Sequence, residues 1–524
     1  MKVETVTLND HQEVIVKITK EVLNLFRIDV AGPCDDADFA QISIVHRRLP
    51  SFVPDAKKSS PTCREASDDM PLVRAQTTLY AFRSDGTCEV FTEQGTGAAD
   101  ETPSGAYHRL WKLFLYRIFL QHFAAFDGVA PAPWGILHGV RPTKLVHRWR
   151  RGGMTQDAIL ARLQTDYGCS REKAGLIVPM AFRQVPFLET SDERTVSIYV
   201  GIPFCLTRCL YCSFPSNVLP GEKTLQKFMT VFEKDLRAVE VLIRRYNFRV
   251  QNIYVGGGTP TSLPDAYFDA MLTMVQEAFW HEKLTEFTVE AGRPDSMSEA
   301  KIETMQRLGV TRVSVNPQSM QQKTLDLIGR RHTSDDVVTM FHALRKAGIP
   351  HINMDVILGL PGETAEDVRD TMEKIVALGP DDITLHALAI KRGSRLQKMM
   401  EERHVDLPAR EETRRMSEIA QAAVQAAGMQ PYYLYRQGYM AGDLENIGCC
   451  RPGAEGMYNI QIMEEHQTIL GIGGAAATKC VDHQHHCLRS TFNAKDLKTY
   501  LRDIELYIEK RNRLIEKIYR NATE

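Results

Sequence analysis

The sequence predicts an α/β fold built on a partial (β/α)6 barrel, with an α+β domain before it and an α+β extension after it. One observation is a repeat. From about Val196 to Leu396 a short apolar strand is followed, again and again, by an amphipathic helix. Strands that alternate with helices pair in parallel through right-handed crossovers. Another is the number of units, since six suit a closed or partly open barrel better than a flat doubly wound sheet. The last is size. A chain of 524 residues exceeds one ordinary core, so two or three domains are expected, here 1–190, 191–400 and 401–524.

The first region opens with strand-like alternation at Glu13–Thr19 and Gln76–Phe82, broken by the polar segment Pro54–Asp69, which reads as a loop or insert. A helix is expected over Tyr107–Phe126. The run Trp134–Arg151 that follows is rich in cations and aromatics. Arginine forks suit carboxylates and phosphates, although such a run is more often a solvated helix face. The barrel strands are read at Val196–Ile202, Asn252–Val255, Glu286–Glu290, Arg312–Val315, Ile352–Leu358 and Asp382–Leu388. Helices of fitting length lie between them, such as Thr224–Tyr246, Asp265–Trp280 and Asp335–Ala347. Beyond come a helix at Glu411–Ala427, a strand at Pro431–Arg436 and a glycine-bearing stretch at Gly438–Tyr458. The glycine-rich segment Thr468–Lys479 and a helical tail, Lys495–Tyr519, complete the chain. This last region is long enough to close one side of the barrel and shape a pocket.

Hydrophobic residues make up 43% of the chain and charged residues 25%, the proportions of a soluble globular protein. The formal net charge of −2 offers no global field for nucleic acid or an anionic membrane. Eleven cysteines, an odd number, do not read as a disulfide framework and point to a reducing cytoplasm. The stretch Met1–Thr5 lacks the apolar core of a signal peptide, and no apolar run is long enough to span a bilayer. The expectation is a cytoplasmic protein with no membrane span and no nucleic-acid partner.

The first barrel strand leads into Cys205-Leu-Thr-Arg-Cys209-Leu-Tyr-Cys212-Ser-Phe214. Thiolates this close can converge on one inorganic centre. Most 4Fe–4S clusters take four cysteines. Three leave one iron open, which is what binding S-adenosylmethionine (SAM) through its amino and carboxylate groups and cleaving it reductively requires. A zinc knuckle or unligated core cysteines are the plainer alternatives. Zinc, however, favours four N/S ligands, and no second Cys-x-x-Cys half lies nearby.

The other strand ends carry polar residues too. The second runs into Gly256-Gly-Gly-Thr259-Pro-Thr261, where glycines let a ligand approach the backbone. The third ends at Glu290, and the fourth leads to Asn316-Pro-Gln318 with Arg330 soon after. The fifth carries Asp355 and ends in Gly359-Leu-Pro-Gly-Glu-Thr364. Each alone reads as a cap or a turn. Their recurrence at successive strand ends, where barrel chemistry gathers, reads as a shared pocket.

Together, Tyr199-Val-Gly-Ile-Pro-Phe-Cys205, the cysteine spacing, the Gly256–Thr261 run, Asn353-Met-Asp355 and Gly359–Thr364 resemble radical SAM enzymes. More narrowly they resemble the oxygen-independent coproporphyrinogen III oxidase (dehydrogenase) group. The flanks, Gly139–Lys144 and Tyr432–Lys479 with Ala441–Asn446, are similar to its HemZ-type branch. The resemblance implies a radical SAM barrel whose 4Fe–4S cluster is held by Cys205, Cys209 and Cys212. It implies that Gly257, Gly258, Thr259, Glu290 and Arg330 position SAM or its products, with help from Tyr199, Gln318 and Asp355, and that Ala389 lines the adenosine site. It further implies oxidative decarboxylation of coproporphyrinogen III propionates to vinyl groups, giving protoporphyrinogen IX in haem biosynthesis, with a low-potential electron donor.

Two positions depart from that pattern. Decarboxylating members carry a further cysteine two residues after the third and a histidine four residues before the first; this chain has Phe214 and Gly201. Phe214 matches relatives that bind or hand over haem. The rival expectations are therefore a cluster-containing haem chaperone and a radical SAM enzyme acting on haem itself. Cys449-Cys450 and Cys480-Val-Asp-His-Gln-His-His-Cys487 can ligate haem iron or a second metal, a surface loop without ligand being the plainer reading. Arg436, Arg451 and the Arg141–Arg151 run are, by charge alone, candidates for clamping propionates.

Overall fold

The computed structural model describes residues 2–7, 12–26, 39–49, 72–83, 85–98, 103–122, 132–190, 192–212, 214, 216–390, 394–402, 405–437, 444–483 and 487–519. The expected insert Pro54–Asp69, the residues 438–443 and the centre of the Cys480–Cys487 segment lie outside these. The chain divides into two compact units, Met1–Pro179 and Met180–Glu524.

The first unit contains β1 (Lys2–Thr7), α1 (Gln12–Leu25), β2 (Phe39–Leu49), β3 (Leu72–Arg83), β4 (Cys88–Ala98), α2 (Pro103–His122), α3 (Thr143–Arg151), α4 (Gln156–Tyr167) and the start of α5 (Arg171–Glu189). Its four strands form one sheet in chain order, β1 parallel to β2 and the others antiparallel. Glu13–Thr19, expected as a strand, lies inside α1. Its β-branched residues mimic a strand, but the buried side chains are Ile15, Ile18, Thr19, Val22 and Leu23, the spacing of one helix face. Helix α2 packs closely on the sheet, because a Cβ on Gly95 or Gly97 would meet Phe114 at 3.3 Å or Leu110 at 2.9 Å. In the run Trp134–Arg151, Trp134, Leu145, Val146 and Trp149 are buried. Its aromatics serve the core of this unit.

The second unit holds β5 (Thr195–Ile202), β6 (Phe204–Cys205), β7 (Asn217–Val218), α6 (Glu222–Arg245), β8 (Arg249–Gly257), α7 (Asp265–Phe279), β9 (Glu286–Glu290) and α8 (Glu299–Arg307). Next come β10 (Arg312–Gln318), α9 (Gln322–Leu327), α10 (Ser334–Lys346), β11 (His351–Leu358), α11 (Ala365–Leu378), β12 (Asp382–Ala387) and α12 (Arg395–Glu401). It ends with α13 (Arg410–Ala426), β13 (Gln430–Tyr435), β14 (Asn446–Cys450), α14 (Met457–Glu464), β15 (Thr468–Gly473), β16 (Ala477–Asp482), β17 (Cys487–Phe492) and α15 (Leu497–Tyr519).

Strands β5, β8, β9, β10, β11 and β12 pair in parallel and in that order, as the alternation predicts. They are buried along most of their length, as parallel strands covered on both faces are. The same sheet continues at both ends. Strands β14 and β13 add antiparallel beside β12, while β15 joins β5 in parallel and carries β16 and β17. Residues beyond 400 thus add strands to both ends of the barrel sheet. Among the described residues β13 and β17 are the outer strands, so the barrel is partial.

Thr364, which ends the Gly-Leu-Pro-Gly-Glu-Thr segment, starts α11 through a reciprocal capping box with Asp367. Behind β15, Asp235 of α6 and Arg511 of α15 form a fully buried ion pair at 2.7 Å. Asp235 also accepts from the Gly473 N–H, Asn493 and Tyr500. This network fastens the C-terminal helix and β15 to the barrel. Among the described residues no helix is long and apolar enough to cross a membrane.

Candidate functional site

A cavity of about 620 Å³ lies at the C-terminal ends of the parallel strands. Its wall follows from strand parity. Thr288 and Glu290, Ser314 and Asn316, Asn353 and Asp355, and Thr384 and His386 are pairs two residues apart on successive strands, so each pair shares a face. All of them line the cavity. They are cross-linked as well: the Asn353 amide donates to Ser314 at 3.0 Å and to Asp355 at 2.8 Å, and Thr384 donates to the Asn353 carbonyl at 3.2 Å.

Cys205, Cys209 and Cys212 line the same cavity. Cys205 is buried on β6, and the other two are half-buried in the loop after it. That loop is held from several sides. The backbone N–H groups of Gly258 and Thr259 donate to the carbonyls of Ile202 and Phe204 at 2.8 and 2.7 Å, which sets the glycine run against the first cysteine. Arg293, itself paired with Asp295, donates to the carbonyl and hydroxyl of Thr207 at 3.0 and 2.7 Å. Arg330 donates to the Tyr211 hydroxyl at 2.9 Å and to the carbonyls of Gly292 and Asn316 at 2.9 and 3.1 Å.

The glycines are required by space. Gly257 has a φ of 111°, a conformation that favours glycine. A Cβ on Gly258 would stand 2.5 Å from the Phe204 carbonyl oxygen and 3.0 Å from Cys205 Sγ. The Thr259 hydroxyl lies 3.6 Å from the same sulfur. A bare backbone cradle therefore adjoins the thiol.

Charge in the cavity is tuned in opposite directions. Burial, with Asp355 adding to it, pushes the Glu290 carboxyl up to about 7, although Tyr254 donates to it. Burial also works against ionised Asp355, but His386 at 3.6 Å and Asn353 outweigh it, and that carboxyl is held below its ordinary value. His386 is correspondingly raised: its burial is outweighed by Asp355. Tyr199, Tyr254 and Tyr458 stack along one wall, with Tyr254 and Tyr458 4.4 Å apart between ring centres. Burial raises the Cys212 thiol, with Cys209 and Cys205 adding to the effect.

Of the residues expected around SAM, Tyr199, Gly257, Gly258, Thr259, Glu290, Arg330, Asp355 and Ala389 line the cavity together with the three cysteines. Gln318 is not in the lining. It is buried with a φ of 68°, and its Oε1 finds no hydrogen-bond partner among the described residues; such backbone strain clusters at functional sites. Arg436, Arg451, Cys449, Cys450, Cys480 and Cys487 do not line the cavity either. Burial pushes the Cys449 and Cys480 thiols up to about 12, which suits inert core residues.

Among the described residues no three His, Cys, Asp or Glu side chains are grouped to hold a single metal ion. The residues present fit a larger group. Three cysteines line the cavity, a glycine run abuts the first, and the buried Nε of Arg330 has no partner among the described residues. Thiolates so disposed suit separate irons of a 4Fe–4S cluster, and a glycine run without side chains lets a ligand come close to the backbone beside the first thiol. Sequence reasoning passed over Tyr254, Arg293, His386 and Lys479, and gave Asn353 only as part of a motif with no role; all five line the cavity too. For Asn353 and His386 a signal existed, namely polar residues two apart in otherwise apolar strands.

Comparison with known proteins follows the same lines. The Radical SAM superfamily matches residues 199–375. The chain is 37% identical over 431 residues to the oxygen-independent coproporphyrinogen-III oxidase-like protein HemZ of Bacillus subtilis (strain 168), which covers 81% of this chain and 85% of that protein. It is 26% identical over 281 residues to the heme chaperone HemW of the same organism, 53% of this chain and 70% of that one. Among solved structures, the radical SAM enzyme coproporphyrinogen III oxidase (HemN) from Escherichia coli aligns with a TM-score of 0.50 at 21% identity, over 63% of this chain and 73% of that one. That likeness establishes a shared fold.

Proposed function

The chain belongs to the radical SAM proteins of the oxygen-independent coproporphyrinogen-III oxidase-like, HemZ-type branch, and from that premise we propose that it converts coproporphyrinogen III propionates to vinyl groups, giving protoporphyrinogen IX. The superfamily implies a 4Fe–4S cluster and SAM, which supply, when bound, a 5′-deoxyadenosyl radical that takes a hydrogen atom from the substrate. The observation that carries the reading is the meeting of three cysteines and a glycine cradle in one cavity of about 620 Å³, within the size range of ligand sites.

The protein's own part is placement. Cys205, Cys209 and Cys212 hold the cluster, and Arg293 and Arg330 keep their loop in register through Thr207 and Tyr211. Gly257, Gly258 and Thr259 leave the amino-acid end of SAM room beside Cys205. Glu290, Asp355 and Arg330 orient its polar groups, with Gln318 and Tyr199 in support, and Ala389 borders the adenosine. The stacked tyrosines narrow one wall and limit the entry of water. Each conversion removes a hydrogen atom, CO2 and one electron from a propionate, so an electron acceptor is needed besides the low-potential donor.

Phe214 favours a second reading. It is 63% exposed at the cavity's margin and stands where decarboxylating relatives carry cysteine, so a cluster-containing haem chaperone is the alternative. One experiment separates the two. Reconstituted protein is incubated anaerobically with coproporphyrinogen III, SAM, a low-potential reductant and an electron acceptor, and mass spectrometry follows 5′-deoxyadenosine and the porphyrin. Deoxyadenosine together with loss of two carboxyl groups supports the decarboxylase. Stoichiometric haem binding with no SAM cleavage supports the chaperone. Deoxyadenosine with unchanged porphyrin, and loss of the Soret band when haem is supplied, indicates chemistry on haem itself.

A further inference from the structure

Strand β14 separates β12 from β13 in the sheet, yet side chains of β13 reach β12 across it. Gly448 of β14, in register with Thr384 and with Tyr433, leaves the gap. A Cβ there would stand 1.8 Å from the Tyr433 ring. The Tyr433 hydroxyl thereby comes within 3.3 Å of Thr384. Two residues on, Tyr435 shares that face, and its hydroxyl lies 3.4 Å from Nδ1 of His386. The end of β12 is pinned beside it, because the Ala387 N–H donates to Asn446 at 3.0 Å.

His386 turns its other nitrogen to the neighbouring barrel strand. Asp355 of β11 is in register with Thr384, so His386 is its diagonal neighbour on one face. Nε2 of His386 lies 3.6 Å from Oδ2 of Asp355, while the Asn353 amide takes Oδ1 at 2.8 Å. Both oxygens of the carboxylate are thus engaged. Tyr435, His386 and Asp355 all line the cavity. Together they form a chain that runs from the C-terminal extension to a carboxylate among the strand ends of the barrel.

We propose that His386 is a positioning residue: bridged to Tyr435, it fixes the Asp355 carboxylate in the orientation that accepts from the polar hydrogens of SAM. This rests on the functional reading above and deepens it. A carboxylate already held by its neighbours need not be ordered when the ligand arrives. Charge agrees with geometry. The titratable groups that bear on Asp355 include Glu290 of β9, Asp382 of β12, Tyr254 of β8, and Tyr433 and Tyr435 of β13. All of these are acids, and His386 supplies positive charge against them. With it, the carboxyl is held below its ordinary value in spite of burial.

The test measures SAM binding to reconstituted, anaerobic protein by calorimetry between about pH 6 and pH 8. The background is Glu290→Gln, in which Glu290 cannot titrate. Affinity there should stay flat across the range, because Asp355 is ionised throughout. Adding His386→Phe leaves burial unopposed by the imidazole. Affinity should then fall roughly tenfold at the lower pH, the size of one charge-assisted hydrogen bond, and recover toward the upper pH. His386→Gln, which keeps a donor without charge, should show the same slope with smaller amplitude, and it decides the matter if His386→Phe does not fold. Iron content and Tm check the folding of each variant. A profile that stays flat without His386 overturns this inference, as does a loss equal at every pH, and either leaves the functional reading standing. Failure of the wild type to bind SAM overturns the functional reading, and this inference with it.

Discussion

The carbonyl oxygen of Gly474 lies 2.8 Å from where a Cβ on Gly201 would stand. Strand β15 runs alongside β5 with Gly473 in register with Gly201, so the turn that follows covers the position at which decarboxylating relatives carry histidine. The departure at Gly201 thus has a steric cause in this chain. Gly201→His should destabilise the protein by about 3 kcal/mol or more, the upper end of overpacking costs, read as a lower Tm. A variant as stable as wild type would show that β15 does not approach β5 in this way.

The bond between Arg330 and the Tyr211 hydroxyl makes a second prediction. Tyr211→Phe keeps the ring in its packed position beside Leu325 and Ile328, but removes an acceptor from a buried cation. The cost is about 1–3 kcal/mol. Because Tyr211 sits between Cys209 and Cys212, the loss should fall on the loop more than on the fold. Iron should leave the variant faster under a chelator, with little change in Tm. A large fall in Tm with unchanged iron retention would place the bond's role in the fold instead.

Legibility in the sequence tracks locality. The six barrel strands are visible because each is a short apolar run bounded by turn residues, as strands buried on both faces are. The cysteine loop and glycine run are visible because their chemistry depends on spacing within one loop. Helix α1 is hidden by the β-branched residues of Val14–Thr19, whose helical period shows only when burial is known. The placing of Thr468–Gly473 beside β5 is not written locally, since a strand's partner depends on packing between segments remote in sequence. His386 and Lys479 are missed for the same reason. Their neighbours, Asp355 and Ile469, come from other strands.

The buried pair of Asp235 and Arg511 predicts how the C-terminal helix is retained. Arg511→Met leaves a carboxylate with no exposed surface and only neutral donors: Asn493, Tyr500 and the Gly473 N–H. Breaking such a pair costs about 3–5 kcal/mol, whereas replacing both partners with apolar residues is often far milder. The double variant Asp235→Leu with Arg511→Met should therefore be more stable than Arg511→Met alone. Thermal unfolding of wild type, both single variants and the double variant forms the cycle. Additive losses would show that the two side chains do not interact.

Glu290 sets a pH dependence whose sign is fixed by its environment. Burial and Asp355 raise its carboxyl to about 7 in the folded protein, above the roughly 4.3 of an exposed glutamate. The folded state therefore holds this proton more tightly than the unfolded state does. Its contribution to stability is complete below the unfolded value and is lost as pH rises through about 7. Ligand binding should run the other way, because the ionised carboxylate is the form that accepts from the ammonium or hydroxyls of SAM. Between about pH 6 and pH 8, SAM affinity should rise in wild type while Tm falls. Glu290→Gln keeps an acceptor for Tyr254 but cannot titrate, so both slopes should flatten, and SAM affinity at the upper pH should be lower than in wild type. Slopes unchanged in this variant would assign the titration to another group.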